Sequence, residues 1–452
     1  MEFHSINPFD GKIVGTYQAH TQPEVLNILN TSGAAAKSWS RVPLDQRAGL
    51  MMKAAQVLKE NVERYAQMIT LEMGKPVSES RAEINKCAWV CEYYAENAAS
   101  FLANEIIQTD SQKSFVRHDP IGTVLAIMPW NFPFWQVFRF AAPTLTAGNT
   151  GVLKHAPNVF GCATLIGEVF EKAGFPAGVF QNLFIHHDQT EWVIAHEAVK
   201  AVTLTGSERA GAAVAEIAGR NLKKSLLELG GNNAFIVWKD ADIEKAVKTA
   251  ITARMLNCGQ SCIAAKRFIL VEEIYDEFVS EFTKAVSQLK SGDPMDETTQ
   301  VGPLARKDLA DNLYLQVKKS VDQGAELILG GEKSGCFHSP TILGNVRPGM
   351  PAFDEETFGP LAAMIRAKDE VEAFALSENS KFGLGVTLCT TDIERALSYA
   401  GQVSDGAYFI NELVKSDPRL PFGGSKRSGY GRELAKDGMM EFVNRKTVYV
   451  GN

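Results

Sequence analysis

Apolar residues recur at three- and four-residue spacing along Leu44–Thr70, and again from about Ser80 to Leu102, so the pattern predicts long amphipathic helices in the first hundred residues. Gly74–Lys75–Pro76 separates the two, as a helix stop should. From residue 122 the period changes. GTVLAIM (122–128), GVLKHA (151–156), VFQNLFI (179–185), AVTLT (201–205) and SLLEL (225–229) read as strands. Helical patterns near 134–147, 160–173 and 207–220, and a shorter one near 190–196, lie between them. Alternation of this kind builds βαβ units, and the near-continuous apolar character of several strands predicts a parallel sheet covered on both faces. The fold class expected is α/β and doubly wound, of the nucleotide-binding kind.

Residues 231–427 repeat the alternation with other spacings. Strands are expected near 234–238, 266–271, 325–329, 361–366, 385–390 and 406–411, and helices near 242–256, 274–289, 306–323 and 392–403. A second doubly wound α/β domain follows, joined to the first at Leu229–Gly230–Gly231. The first domain then takes 1–102 and 120–230, leaving 103–119 and 428–452 over. The closing run KTVYV (446–450) and the polar stretch around Ser111–His118 read as strands with no partner of their own. Exposed edges invite pairing with another chain, so a small β-extension used for oligomerisation, in a homo-dimer or homo-tetramer, is expected.

Length and composition narrow the possibilities. A chain of 452 residues is longer than the roughly 250–300 at which one core stops growing. Hydrophobic residues at 45% and charged residues at 22% are ordinary for a globular protein. A net charge of −7 without a Lys/Arg cluster disfavours nucleic acid and anionic membranes, leaving small molecules as partners. MEFHSINPFDGKIVG lacks the features of a secretion signal, and no apolar run is long enough for a bilayer, so a cytoplasmic location is expected. Seven cysteines, an odd number in a long chain, suggest free thiols in a reducing compartment. Cys87 and Cys91 share a helix face, but two ligands are too few for a structural metal, and no metal site is expected.

Three residues could carry chemistry. Cys262, in NCGQSC (257–262), sits at a glycine-containing junction between a helix and a strand, where a thiol can be exposed. On spacing alone an inert buried cysteine explains it better. Glu228, in LLELGGNN, is a lone carboxylate in an apolar strand, where burial would raise its pKa toward that of a general base. A structural ion pair explains it equally well. Asn131, in PWNFPFW (129–135), falls in the loop after the first strand of the sheet, where open α/β sheets place ligands and where an amide could donate to an oxyanion. A turn asparagine is the plainer reading.

Order and context make these signals specific. Pro129–Trp130–Asn131–Phe132–Pro133, Lys154, Gly206–Ser207, Glu228–Leu229–Gly230–Gly231, Gly259–Gln260–Ser261–Cys262, Glu356–Thr357–Phe358–Gly359–Pro360 and Pro421–Phe422–Gly423–Gly424 together resemble the NAD(P)+-dependent aldehyde dehydrogenase superfamily, across essentially the whole chain. The resemblance implies a cofactor-binding first domain, a catalytic second domain, and an assembly extension. It implies Cys262 as nucleophile, Glu228 as general base and Asn131, with the Cys262 N–H, as oxyanion donor. The product would be a carboxylic acid, released from a thioester by water, because members that use other acyl acceptors generally lack the base.

No G-x-G-x-x-G opens a helix. The resemblance places the NADP or NAD cofactor against Pro129, Trp130, Lys154, Gly206, Ser207, Leu229, Gly230, Glu356 and Phe358, with TGSERAG (205–211) supplying a helix N-terminus. Strictly NAD+-dependent relatives commonly carry a glutamate three residues after the lysine; Pro157 stands there, so NADP+ should be tolerated or preferred. Arg139 is the only charge between Phe132 and Gly148 and needs an anion, ordinarily a protein carboxylate. Short members resembling this chain act on succinic semialdehyde. There, the equivalents of Arg139 and Ser416 bind the distal carboxylate in a tunnel that would also be formed by Trp135 and Phe422. Other ω-carboxy or aliphatic aldehydes remain alternatives, as do a Cys-His hydrolase and a non-catalytic binding protein. Cys258, four residues before Cys262, could pair with it under oxidation, although packing is the plainer role.

Overall fold

In the computed structural model, which describes residues 2–452, two open sheets meet along one cleft. The first runs in the order Gly429–Tyr430, Lys224–Glu228, Val199–Thr205, Thr123–Met128, Thr150–His155, Phe180–Asn182, with all neighbours parallel except the first pair. The pleat sorts its side chains. Val124, Ala126 and Met128 join one core, formed with helices Leu44–Glu60, Val77–Phe101, Trp135–Thr146 and Phe160–Ala173. Leu125, Val202, Leu204 and Leu227 join the other, against helices Gln22–Trp39, Thr190–Ala195 and Glu208–Arg220. Both faces are covered, which is why these strands read as continuous apolar runs.

The second sheet has seven strands, in the order Glu326–Leu329, Thr341–Gly344, Leu361–Ala367, Ala265–Val271, Asn233–Val237, Val386–Cys389, Tyr408–Ile410. Its core is separate from the other two. Two of its elements have no counterpart in the sequence pattern. Thr341–Gly344 is four buried residues, too short to show a period. Helix Glu370–Glu378 is marked mainly by Asp369, whose side chain accepts from the Glu372 N–H.

Three expectations need correcting. The first hundred residues are not all helical: Glu2–Ile6 and Ile13–Gln18 pair antiparallel around an Asn7–Gly11 turn. The helix expected over Leu44–Thr70 is two, Leu44–Glu60 and Val62–Met73. Asn61 breaks it, because its side-chain amide bonds the Val57 carbonyl in competition with the helical ladder. The two strands expected to lack partners pair with each other: Val443–Val450 runs antiparallel to Lys113–Pro120, which also pairs with Glu105–Ile106. No helix among the described residues is long and apolar enough to cross a membrane.

Two buried glutamates tie the N-terminal helices to the first sheet's covering layer. Glu83 accepts from the N–H groups of Phe134 and Trp135, at the start of helix Trp135–Thr146, and is paired with buried Lys75. Glu72, fully buried, accepts from Gly161 and Cys162 at 2.8 Å each, at the start of helix Phe160–Ala173. Negative charge is favoured at a helix N-terminus, and these caps satisfy N–H groups with no partner inside the helix. Glu72→Ala should therefore cost about 2–4 kcal/mol, for two orphaned N–H groups, in denaturant unfolding. A change under about 0.5 kcal/mol would show the cap to be energetically idle.

Candidate active site

Met128, His155, Thr205 and Glu228 are the last residues of four parallel strands of the first sheet, and they end together at the cleft. The order reverses at the central strand Thr123–Met128, so this edge is the crevice where open α/β sheets bind ligands. From it emerge Pro129–Trp130–Asn131, Gly206–Ser207 and Leu229–Gly230. The second sheet answers with Cys262, just before strand Ala265–Val271, and with Glu356 and Phe358, just before Leu361–Ala367. Trp130 meets Phe358 edge-on at 5.8 Å, and the Gly231 N–H donates to Glu356 Oε1 at 2.9 Å.

The loop bearing Cys262 is strained and heavily held. Asn257, Cys258 and Gly259 are consecutive left-handed residues, at φ 54°, 54° and 73°. A side chain in that region costs of order 1–3 kcal/mol, so the surroundings must impose it. The Asn257 N–H donates to Glu79, its amide donates to the Asn131 carbonyl at 2.7 Å, and Arg254 donates to the Gly259 carbonyl at 2.6 Å. Cys258 Sγ engages both the N–H and the carbonyl of Gly302, packed in the second sheet's core, and both Cys258 and Cys262 are free thiols. Asn131 Nδ2 donates to the Gln260 carbonyl at 3.0 Å, while Gln136 donates to Asn131 Oδ1. That pair of bonds fixes which end of the amide faces the loop, and leaves one N–H free.

Cys262 is half-buried and opens into a cavity of about 200 Å³. Burial pushes its thiol up to about 11, against the pull of the Arg139 and Lys266 charges; Glu356 and Glu228 are within electrostatic reach as well. Lys266 donates to the Ser261 and Cys262 carbonyls and pairs with Glu356 at 3.3 Å, clamping the loop beneath the thiol. Burial, reinforced by Glu433, holds Glu228 well above the ordinary carboxyl range, and Arg139 and Arg432 oppose it. One Glu228 oxygen is buried with no hydrogen-bond partner. An unpartnered carboxyl there is the opposite of the structural ion pair that its sequence equally allowed.

Trp135, Arg139, Ser416 and Phe422 all line the Cys262 cavity. Asn131 and Glu228 lie outside its walls. Arg139 has the protein carboxylate that the sequence named as its ordinary partner: Glu433 Oε2 stands 2.5 Å from Nε. Its guanidinium also lies over the Phe422 ring at 4.6 Å. Glu433 and Phe422 are joined by two backbone hydrogen bonds of 2.7 Å, which place the Glu433 carboxylate and the Phe422 ring together against Arg139.

On the cofactor side, Lys154 is buried, has no carboxylate within ion-pair distance among the described residues, and is lowered to about 8 by burial. Ser207 caps helix Glu208–Arg220, accepting from the Ala210 N–H, so the helix's first turn frames the strand end. Gly206 N–H itself is taken by the Glu228 carbonyl. Leu229 packs where a Cβ on Gly211 would come within 2.6 Å, which draws that helix close. A Cβ on Gly230 would strike Glu356 at 2.4 Å. Pro157 opens the short 3-10 turn Pro157–Val159 next to Lys154.

Five residues of this site escaped sequence reading. Lys266 carried a signal, as a lysine inside the buried strand Ala265–Val271. Glu79 and Lys86, with Glu83, stand at helical spacing on Val77–Phe101, a stripe that looks like a solvated face until the Cys262 loop packs on it. Glu433 lies in a loop without periodicity, placed only by its pairing with Phe422.

The aldehyde dehydrogenase family model matches residues 1–448. A Synechocystis sp. protein named probable succinate-semialdehyde dehydrogenase (NADP(+)) is 47% identical over 453 residues, covering 100% of each chain. The Escherichia coli succinate semialdehyde dehydrogenase (NAD(P)+) Sad is 47% identical over 448 residues, covering 98% of this chain and 97% of its own. The crystal structure of succinic semialdehyde dehydrogenase from Streptococcus pyogenes with NADP+ superimposes with a TM-score of 0.97 at 38% identity, over 100% of both chains. With the family model matching residues 1–448 and relatives 47% identical over nearly their whole length, the chain belongs to the aldehyde dehydrogenase family.

Proposed function

We propose that this enzyme oxidises succinic semialdehyde, or an ω-carboxy aldehyde of similar length such as glutaric semialdehyde, to the dicarboxylic acid with NADP+ or NAD+. The observation that carries the reading is a free, half-buried thiol opening into a cavity whose walls include the cationic side chains of Lys75, Lys86, Arg139 and Lys415, beside Trp135. The names of the relatives point to the same substrate.

Cys262 Sγ attacks the aldehyde carbon and forms a thiohemiacetal. Its oxyanion is received by the free N–H of Asn131 Nδ2, whose orientation Gln136 and Gln260 fix, and by the Cys262 backbone N–H. The nicotinamide cofactor, when bound, supplies the acceptor for the hydride. The residues around its proposed place fit it: Lys154 without a counterion for the adenosine ribose, Glu356 for the other ribose, and glycine at 230, where any Cβ would displace Glu356. Pro129, Trp130, Gly206, Ser207, Leu229 and Phe358 complete that wall. Glu228 then takes a proton from the water that hydrolyses the thioester, which its raised pKa suits.

In this reading 1–102 and 120–230 bind the cofactor, 231–427 carry the nucleophile, and 103–119 with 428–452 serve assembly. Strand Val443–Val450 leaves an outer edge with Tyr449 and Val450 exposed, which supports a homo-dimer or homo-tetramer built through it. Seven free thiols support a cytoplasmic location.

Three measurements test the assignment. Glu228→Gln should retain a rapid burst of reduced cofactor of about one equivalent per site, with steady-state turnover falling by about 10²–10⁴; unchanged turnover would remove Glu228 from the reaction. Alkylation of Cys262 by iodoacetamide, followed by peptide mapping of the cofactor-free protein, should accelerate with rising pH toward about 11, because only the thiolate reacts. A plateau below about pH 8 would contradict that environment. NADP+ should serve at least comparably to NAD+, since no acid occupies position 157 to repel a 2′-phosphate. An advantage for NAD+ above about a hundredfold in kcat/KM, or about 2.7 kcal/mol, would refute it.

A further inference from the structure

Two carboxylates line the Cys262 cavity, and they are used differently. Glu83 is paired with Lys75 and caps helix Trp135–Thr146. Glu79, in the first turn of helix Val77–Phe101, is in no ion pair among the described residues. Its one hydrogen bond is accepted from the backbone N–H of Asn257, at 2.7 Å. Helix Ile243–Met255 has ended just before that residue, so this N–H lies outside the helical ladder, and Asn257 is the first of the three left-handed residues that lead to the nucleophile. The Asn257 side chain carries the contact onward. Its amide donates to the Asn131 carbonyl at 2.7 Å and to the Gln260 carbonyl at 3.2 Å, the same carbonyl that receives Asn131 Nδ2 at 3.0 Å.

We propose that Glu79 is a positioning residue for thiol attack: its carboxylate holds Asn257 in the left-handed conformation and, through Asn257, sets the Asn131 amide against the Cys262 loop. The inference rests on Cys262 and Asn131 acting as proposed above. A left-handed side-chain residue persists only where its surroundings impose it, and an ionised acceptor holds an N–H more firmly than a neutral one. The strained loop is therefore best supported when Glu79 carries its charge. Burial pushes Glu79 up to about 7, against the pull of the Asn257 N–H and Lys75. The other charged groups around the cavity are engaged: Lys75 with Glu83, Arg139 with Glu433, and Lys415 with Glu412. In the loop that Glu79 holds, burial raises both Cys258 and Cys262, so they remain thiols at neutral pH. Lys86, on the same helix, gives up its proton later, near 8. Glu79 thus gains its charge as pH rises through about 7. Protonation weakens the bond to Asn257 without removing it, because the carbonyl oxygen of a carboxylic acid still accepts. Glutamine supplies that neutral acceptor at every pH.

The test follows the first turnover of reduced cofactor, with saturating succinic semialdehyde, in the parent enzyme, Glu79→Gln and Glu79→Ala, from about pH 5.5 to about pH 9. That phase reports thiol attack and hydride transfer before Glu228 acts. The ratio of parent to Glu79→Gln rates cancels the titration of Cys262, which both share. We expect this ratio to rise from about 1 at the acid end to about 5–10 at the alkaline end, the difference between a charged and a neutral acceptor, with its midpoint near 7. KM for the aldehyde should change by less than about twofold. Glu79→Ala, which leaves the Asn257 N–H without a partner, should be slower than the parent by about 10- to 100-fold at the alkaline end. Should Glu79→Ala fail to fold, the parent and Glu79→Gln profiles decide. A ratio that does not change with pH, or a loss expressed wholly in KM, would overturn the assignment while leaving Cys262 as nucleophile. A Cys262→Ala variant that reduces the cofactor at the parent's rate would overturn the reading of Cys262, and this inference with it.

Discussion

The site depends on one close approach of backbone to backbone, between the corner after strand Lys224–Glu228 and the loops before strands Ala265–Val271 and Leu361–Ala367. A Cβ on Gly231 would come 2.7 Å from the Cys262 carbonyl, and a Cβ on Gly230 2.4 Å from Glu356. No other residue type fits there without movement. The same two glycines therefore permit three things together: the end of the first sheet can hold Glu228 near the thiol, Glu356 can reach the Gly231 N–H, and Lys266 can bridge Glu356 to the cysteine loop.

Closing two sheets so tightly concentrates buried charge, and the distribution of that charge decides what each group can do. Glu433 raises Glu228, and Arg139 offsets both while lowering the thiol's cost of ionisation. An unpaired charge here would cost several kcal/mol, so neighbouring ions are present in compensating sets. Glu228 has an oxygen with no hydrogen-bond partner, and a buried acceptor left free at the strand end is available for water.

Much of this was legible in the sequence. Strand and helix periods located the sheets because parallel strands covered on both faces must be apolar, and Glu228 stood out as the one carboxylate in such a strand. What stayed hidden was set by tertiary contact. The pairing of Val443–Val450 with Lys113–Pro120 joins residues over three hundred positions apart, and no local pattern encodes it. Asn61 divides a helix whose apolar spacing continues through it, because the break comes from one amide and not from the packing face. Arg139 could be read as needing an anion, yet the identity of its protein partner was invisible, since only the Phe422 pairing brings Glu433 beneath it.

The division of labour between the two walls of the cavity follows from strain. The cysteine loop carries two non-glycine left-handed residues, each kept in place by Glu79, Arg254, Asn131 or Gly302, so a substitution there disturbs the nucleophile as well as its neighbours. Helix Val77–Phe101 is different. Its buried side is anchored by Ile84, Cys87, Val90 and Cys91, and its register is fixed by Glu83 at a helix start, so the side chain at 86 can change without moving the backbone that presents it. A substitution of Lys86 on the stable helix is therefore separable from one on the strained loop.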